Sequence, residues 1–209
     1  MTDRQTLYTG VSRAAWGYFF LYFNINLGRV SILPSFVAFL LFLSSINLLK
    51  EERRELALLR PFGILLAIWH FAEWGLSWIG GTLDGRFEIL GLMIGLASLY
   101  FHFQLFTDFA ALAAKYQQPD DDLDRRLLRW RTIQTVLLTV MTLMAYPAQW
   151  FSDWWDYVVM AMAVVYLIAG ICLMAALFAL RKVFADSEEV LHTPSRNDSR
   201  TAEDRHPDR

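Results

Sequence analysis

Two histidines and one glutamate lie inside otherwise apolar stretches of this chain, and their side chains are the best candidates for chemistry. His70 and Glu73 are three residues apart in the stretch 61–79, so on a helix they share a face, which Ser77 extends. An imidazole and a carboxylate one turn apart can share a proton, hold a cation or supply two metal ligands. A metal site would still need ligands from other helices, because His-x-x-Glu alone supplies only two.

The stretch 87–114 carries the second histidine on a face of small residues. Gly91, Gly95, Ser98 and His102 follow one another at spacings of four, three and four residues, which places them on one helical face. Two glycines four residues apart allow another helix to approach closely. We therefore expect this face to pack against other helices, with His102 pointing into the bundle, and the same glycines to serve a homodimer contact.

The stretch 132–150 has the most regular polar pattern in the sequence. Hydroxyl and amide side chains recur at spacings of 3, 4, 3, 4 and 3 residues, as one face of a helix requires. A threonine hydroxyl in lipid can bond to the carbonyl of the preceding turn, so the stripe fits simple helix packing. Alternatively, the stripe forms one wall of a polar crevice that also includes His70, Glu73 and His102. The stripe consists of Thr132, Thr135, Thr139, Thr142, Tyr146 and Gln149.

Six long apolar stretches would have to position these side chains. Of the 209 residues, 56% are hydrophobic and 19% are charged, whereas soluble domains have about 25% charged residues. A helix of about 20 residues spans the ~30 Å hydrocarbon core of a bilayer, and most of the stretches reach or approach that length. The stretches are residues 14–27, 30–49, 61–79, 87–114, 132–150 and 157–180.

These lengths predict an all-α fold, a polytopic integral membrane bundle of six transmembrane helices that occupies residues 1–184. The stretch 14–27 is the shortest, so the alternative is five spanning helices plus one interfacial or re-entrant helix. The polar segment 185–209 is predicted to be a disordered cytoplasmic tail, because it has almost no large apolar side chains to bury.

Positive charges are distributed very unevenly along the chain. Of the 19 Lys and Arg residues, only Arg29 and Arg86 lie outside the two terminal regions and the segments 50–60 and 115–131. The positive-inside rule then places both termini and the two long loops in the cytoplasm, with the protein in the plasma membrane. Asp108 is expected to be a solvated aspartate at the inner membrane boundary.

The N-terminal part of the chain contains the segment Asn24-Ile-Asn-Leu-Gly28, followed by Ile32-Leu-Pro-Ser-Phe36. This arrangement resembles a recurring N-terminal pattern of uncharacterised small multi-pass membrane proteins of Gram-positive bacteria. In those relatives acidic residues often flank the Ile-Leu-Pro core, whereas this chain has Asn24, Ser31 and Ser35 there. The resemblance implies a bacterial membrane origin and no particular activity, and the missing acidic residues argue against a cation or proton role at this corner.

Several function classes do not fit the composition. The single cysteine, Cys172, excludes an internal disulfide and a multi-cysteine metal site. The net charge of −2 provides no global basic field for nucleic acid. The sequence also contains neither the glycine-rich phosphate-binding motif nor the Rossmann fingerprint, so no cofactor is expected.

Three functions fit the sequence. The first, which we favour, is the movement or gating of a small solute or ion through a polar crevice between helices three to five. The second is a non-enzymatic membrane scaffold, sensor or assembly partner whose loops and tail bind a cytoplasmic protein. The third is an intramembrane metal-dependent hydrolase or transferase built on His70, Glu73 and His102. An enzyme is the least favoured of the three, because no nucleophile has a recognisable base.

Overall fold

A computed structural model describes residues 4–22, 26–27, 30–31, 34–78, 88–118, 120–145 and 154–192 of the chain. These residues form six α-helices, a 3-10 helix at Arg54–Leu59 and one very short hairpin, so the predicted all-α fold is confirmed. The helices are α1 (Arg4–Tyr22), α2 (Ser35–Leu49), α3 (Arg60–Ser77), α4 (Glu88–Tyr116), α5 (Leu123–Ala145) and α6 (Trp154–His192).

The connection between α1 and α2 contains a two-stranded hairpin, in which β1 (Asn26–Leu27) pairs antiparallel with β2 (Val30–Ser31). The prediction of an apolar helix over residues 14–27 is therefore wrong at both ends. At its start, α1 begins ten residues earlier, because Leu7 and Val11 lie one turn apart on its buried face. At its end, Asn26 and Leu27 belong to the hairpin instead of the helix.

The helices form a closed ring in which neighbours in sequence are also neighbours in space. Each helix packs against the next one along the chain, and α6 closes the ring by packing against α1. Gly10 faces Leu49 while Gly17 faces Ala38, so α1 and α2 run in opposite directions. The other neighbouring pairs also pack antiparallel, as the contacts of Phe36 with Phe71, of Thr107 with Arg131 and of Trp16 with Phe178 indicate together with the remaining contacts of these helices. Helices α1, α3 and α5 therefore begin at the end of the bundle where α2, α4 and α6 finish, and this end is called the basic end below.

The interior of the ring contains large aromatic side chains from three helices. Tyr18 of α1, Phe39 and Phe42 of α2, and Phe101 and Phe106 of α4 are all fully buried. The Tyr18 and Phe106 rings meet edge to face with centroids 4.9 Å apart, an arrangement that aromatic pairs prefer. This aromatic cluster fixes the position of α4 against α1 and α2.

Three segments of the described residues are long and apolar enough to cross a membrane. They are Arg54–Ser77, Ile89–Tyr116 and Tyr157–Ala185, with mean hydropathies of 1.4, 1.7 and 2.6. Helix α2 is also apolar but has only 15 residues. The first turns of α5 contain Arg125, Arg126, Arg129 and Arg131, so this helix begins within the basic segment 115–131 and not at residue 132, where the apolar stretch begins.

The last helix extends past the predicted boundary at residue 184. Helix α6 continues to His192, so the first part of the predicted disordered tail is helical. Residues 193–209 lie outside the described residues, as do Arg29, Arg86, Tyr146 and Gln149. The predicted roles of those residues stay predictions.

Candidate functional site

A cavity of about 880 Å³ lies between the helices, and all six of them contribute to its lining. Most of the lining is apolar, as in typical small-molecule sites, whose volumes are about 300–1,000 Å³. The cavity brings together residues from three of the predicted polar faces, namely His70 on α3, three of the four predicted positions on α4, and three threonines of α5. The polar side chains that line it are Tyr22, His70, Ser98, His102, Arg131, Gln134, Thr135, Thr139, Thr142 and Tyr166.

His102 lies at the boundary between the cavity and the aromatic cluster. Its Nδ1 lies 2.8 Å from the carbonyl oxygen of Ser98, and only a protonated Nδ1 can donate there. Its Nε2 is buried and has no hydrogen-bond partner within the described part of the chain. The ring is also close to Phe101, with centroids 5.5 Å apart. Nδ1 of His102 is therefore the donor within its own helix, and the buried Nε2 is left without a partner among the described residues.

His70 lines the cavity, whereas Glu73 and Ser77 are not among its described lining residues. The Nδ1 of His70 lies 3.0 Å from Oε2 of Glu73, as their spacing on one helical face predicts. The His70 ring stacks on Phe39 with an interplanar angle of 7°. The Ser77 hydroxyl donates to the carbonyl of Trp74 at 2.7 Å, so it is satisfied within its own helix.

Thr135, Thr139 and Thr142 of the α5 stripe line the cavity, and the hydroxyl protons of Thr139 and Thr142 are already used within the helix. Thr139 donates to the carbonyl of Thr135 and Thr142 donates to that of Leu138, each at 2.8 Å. These two threonines are satisfied in their own helix, as in simple helix packing, and they also line the cavity with His70 and His102, whereas Glu73 is not among the described lining residues. Towards a bound molecule Thr139 and Thr142 present oxygen lone pairs, which accept hydrogen bonds but do not donate them.

Gly95 does not have the packing role predicted for it within this chain. A Cβ added at Gly95 would meet no heavy atom within 4 Å, because this position faces the cavity instead of another helix. The close helix contacts occur at other glycines, such as Gly63, where an added Cβ would lie 2.9 Å from Leu43. Gly91 is half-buried and is not among the described lining residues.

A hydrogen-bonded bridge crosses the bundle beside the cavity. The Tyr18 hydroxyl donates to Oε1 of Gln134 at 2.7 Å, and Nε2 of Gln134 donates in turn to the Tyr22 hydroxyl. Tyr22 also stacks on Tyr166 of α6, with ring centroids 5.9 Å apart. Sequence reasoning missed Gln134 because it lies outside the threonine stripe. The only signal in the sequence is that Gln134 follows Arg131 by three residues, which places both side chains on one face of α5.

Arg131 is the second residue that sequence reasoning missed, because it falls within the basic segment 115–131. Its Nη1 donates to the Thr107 hydroxyl at 2.7 Å, and its guanidinium lies 4.1 Å from the Phe103 ring centroid. Its Nε is buried without a hydrogen-bond partner in the described structure. Among the described residues, no carboxylate forms an ion pair with Arg131.

The nearby carboxylate, Asp108, is paired with another cation. The expectation of a solvated aspartate is wrong, since Asp108 is only 1% exposed. Its Oδ1 accepts from Nη2 of Arg53 at 3.4 Å and its Oδ2 accepts from the Gln104 amide at 3.3 Å. Arg53 therefore compensates the charge of Asp108, and no carboxylate among the described residues compensates the charge of Arg131 at the cavity.

Metal ligation finds little support in the described part of the chain. No group of three or more His, Cys, Asp or Glu side chains there is close enough to hold a metal ion. His70 and Glu73 form a pair at most, and His102 is oriented by Ser98 instead of by a carboxylate. The metal-dependent hydrolase or transferase considered above therefore lacks its ligand set among these residues.

Comparisons with protein-family models, with curated proteins and with solved structures find no match for this chain. The class of protein follows from the fold alone: it is an all-α protein whose described residues include three helical segments long and apolar enough to cross a membrane. The resemblance to small multi-pass membrane proteins of Gram-positive bacteria stays a prediction.

Proposed function

We propose that this is a multi-pass integral membrane protein of the bacterial plasma membrane, with six membrane-crossing helices and both termini in the cytoplasm. Large apolar side chains point outwards on the helices that flank the cavity, as they would towards lipid. They include Ile68 at 63% exposure, Met93 at 62%, Leu143 at 65% and Met160 at 60%. The concentration of Lys and Arg at the basic end supports the orientation, since that end then faces the cytoplasm.

We further propose that the protein binds a small, mostly apolar molecule in the cavity and moves or gates it along the bundle. The observation that carries this proposal is the cavity itself, which has about 880 Å³ of space, an apolar lining and a few polar groups. Its described lining contains no Asp or Glu, and its one permanent charge is that of Arg131. These features disfavour a cation as the molecule moved and favour a neutral or anionic one.

Photo-crosslinking tests this function with a neutral probe. A diazirine-bearing dodecanol is added to proteoliposomes, and the labelled residues are mapped by mass spectrometry. We expect labelling of cavity residues on α4 and α5, such as Leu99 and Leu138, beyond the labelling of the outward face.

Two glycine variants provide the matched comparison. Gly95→Phe directs a ring into the cavity without a clash at Cβ, so we expect it to abolish cavity labelling. Gly75→Phe is the control, because a Cβ there also meets nothing within 4 Å and Gly75 is not among the lining residues. Equal cavity labelling in both variants, or labelling confined to the outward face, would contradict the proposal.

The proposed partners follow from this placement. The lipid bilayer surrounds the bundle, and the cytoplasmic loops and tail are the surfaces available to a protein partner. A homodimer through α4 would have to use Gly91, because Gly95 faces the cavity.

A further inference from the structure

We propose that the ligand of the cavity is a single-chain amphiphile whose anionic head, a carboxylate or a phosphate, is bound by Arg131. This inference rests on the proposed function, and it adds the chemical class of the molecule and the direction in which it lies.

The position of Arg131 along the bundle is the first reason. Its contacts on α4, Phe103 and Thr107, lie 13 and nine residues before Tyr116, the last residue of that helix. At ~1.5 Å per residue the guanidinium is roughly 14–20 Å inside the basic end. A charge held between the helices of a bundle is costly to desolvate, so such a residue is a candidate for binding an anion in the cavity that it lines.

The unused hydrogen-bonding capacity of Arg131 is the second reason. Thr107 accepts one N–H at 2.7 Å and Thr132 accepts another at 3.4 Å. A guanidinium has five N–H donors and binds carboxylate or phosphate with two parallel bonds. Because Asp108 is already paired to Arg53, an anion inside the cavity is the partner that would neutralise the positive charge of Arg131.

The shape of the cavity is the third reason. Its lining runs along α5 from Arg131 to Leu143, which is twelve residues or roughly 18 Å. On α4 it extends from Phe106 back to Leu92, roughly 21 Å. A space this long, with a cation at one end and mostly apolar walls beyond it, fits an extended hydrocarbon chain with its head towards the basic end.

The polar groups beyond Arg131 are compatible with an apolar chain. Gln134 is engaged by Tyr18 and Tyr22, and Thr139 and Thr142 donate to their own helix. His102 and His70 are the other ionisable groups of α4 and α3 at the cavity, and neither carries a negative charge that would repel an anion. Gln134, Thr139 and Thr142 therefore do not compete for the head group with the guanidinium of Arg131.

Competition for the dodecanol probe in proteoliposomes tests the inference. The competitors share one chain and differ in the head: dodecanoate, dodecyl phosphate, dodecanol and dodecyltrimethylammonium. We expect the two anionic competitors to displace the probe from cavity residues at concentrations at least about tenfold lower than dodecanol, because charge-assisted hydrogen bonds are about twice as strong as neutral ones. The cationic competitor should be weaker than dodecanol.

Two arginine variants assign the preference to a residue. Arg131→Gln should remove the advantage of the anionic heads while leaving dodecanol binding in place. Arg129→Gln is the control, since Arg129 is exposed, lies two residues away and is not among the lining residues. Arg131→Lys keeps the positive charge and should retain part of the preference for anionic heads. This variant still tests the inference if Arg131→Gln does not fold.

The outcomes separate the two proposals. Equal competition by anionic and neutral heads in the unmodified protein overturns the anionic head but leaves the cavity as a binding site. No competition by any amphiphile, with no labelled cavity residue, overturns the binding function itself. Competition by inorganic phosphate alone, equal to that of dodecyl phosphate, would identify a free anion as the ligand and contradict the amphiphile.

Discussion

Gly170 of α6 lies so close to Tyr22 of α1 that a Cβ at Gly170 would be 2.2 Å from Cε1 of the tyrosine ring. This contact joins the last helix to the first at the wall of the cavity. Tyr22 cannot move away freely, because it also bonds to Gln134 and stacks on Tyr166.

The Gly170→Ala variant should therefore be less stable, although alanine favours a helix by about 1 kcal/mol over glycine. Overpacking of this kind costs about 1–3 kcal/mol, which outweighs the gain in propensity. Gly75→Ala is the control and should be neutral or stabilising, because its Cβ meets nothing within 4 Å. Thermal unfolding in detergent compares the two, and equal midpoints would show that the Tyr22 contact yields without cost.

The bridge between Tyr18 and Gln134 predicts strong coupling between these two side chains. Gln134→Leu leaves the buried Tyr18 hydroxyl with only its 3.4 Å contact to the Tyr22 hydroxyl, which should cost about 1–3 kcal/mol of unfolding free energy. Adding Tyr18→Phe removes that hydroxyl, so the double variant should be more stable than the sum of the single effects predicts. A double-mutant cycle measures this difference, and additivity within about 0.5 kcal/mol would contradict the bridge.

The ion pair between Arg53 and Asp108 should matter more than a surface pair. Asp108 is 1% exposed and the Arg53 side chain is 31% exposed, so Asp108→Asn should cost about 1–3 kcal/mol, less than a fully buried pair would. Asp122→Asn breaks the exposed pair with Arg125, in which the two side chains are 65% and 78% exposed, and should change stability by less than about 0.5 kcal/mol. Equal effects in denaturant unfolding would mean that burial does not strengthen the Asp108 pair.

The loop between α4 and α5 should lose a stabilising contact in acid. The Gln117 amide donates to Oδ1 of Asp124 at 2.9 Å, and this hydrogen bond lowers the pKa of the Asp124 carboxyl below its usual value. A lowered carboxyl pKa stabilises the fold above the unfolded pKa of about 3.9, and the contribution is lost as the pH falls through the folded pKa.

The stability difference between the unmodified protein and Gln117→Ala should therefore be constant above about pH 5 and shrink below about pH 4. A remainder should persist at low pH, because the Asp124 backbone N–H also donates to the Gln117 side chain. The exposed neighbour variant Gln118→Ala should show no such pH dependence. Unfolding of the three proteins across this pH range is the measurement, and a difference that grows in acid would reverse the predicted sign.

The sequence predicts most of the helices but not the contacts that build the cavity. Long apolar stretches fixed the middle of α3, α4 and α6, because hydropathy alone distinguishes such helices. Hydropathy does not reveal the start of α1, because Thr6, Thr9 and Arg13 interrupt the apolar residues there. There the helix is held by Leu7 and Val11, which are buried against other helices.

Among the site residues, those grouped by spacing on one helix are predictable from the sequence, and those whose roles depend on another helix are not. The helical spacing that groups His102 with Ser98 also brings both to the cavity, since one face of one helix stays together in any packing. The roles of Gln134 and Arg131 depend on side chains from other helices, Tyr18, Tyr22 and Phe103. Such partners are determined by how the helices pack and not by spacing within one helix. For the same reason, the spacing of Gly91 and Gly95 does not determine whether Gly95 faces a helix or the cavity.

The ring of helices follows the order of synthesis, apart from the final contact of α6 with α1. Sequential neighbours can therefore associate one pair at a time while the chain emerges, with little entropy lost to closing long loops. The cavity receives its α6 lining residues, Ala163, Tyr166 and Leu167, only when α6 packs against α5 and α1. A nascent chain that stops after α5 would thus already carry the arginine and the histidines, but with the cavity still open on one side.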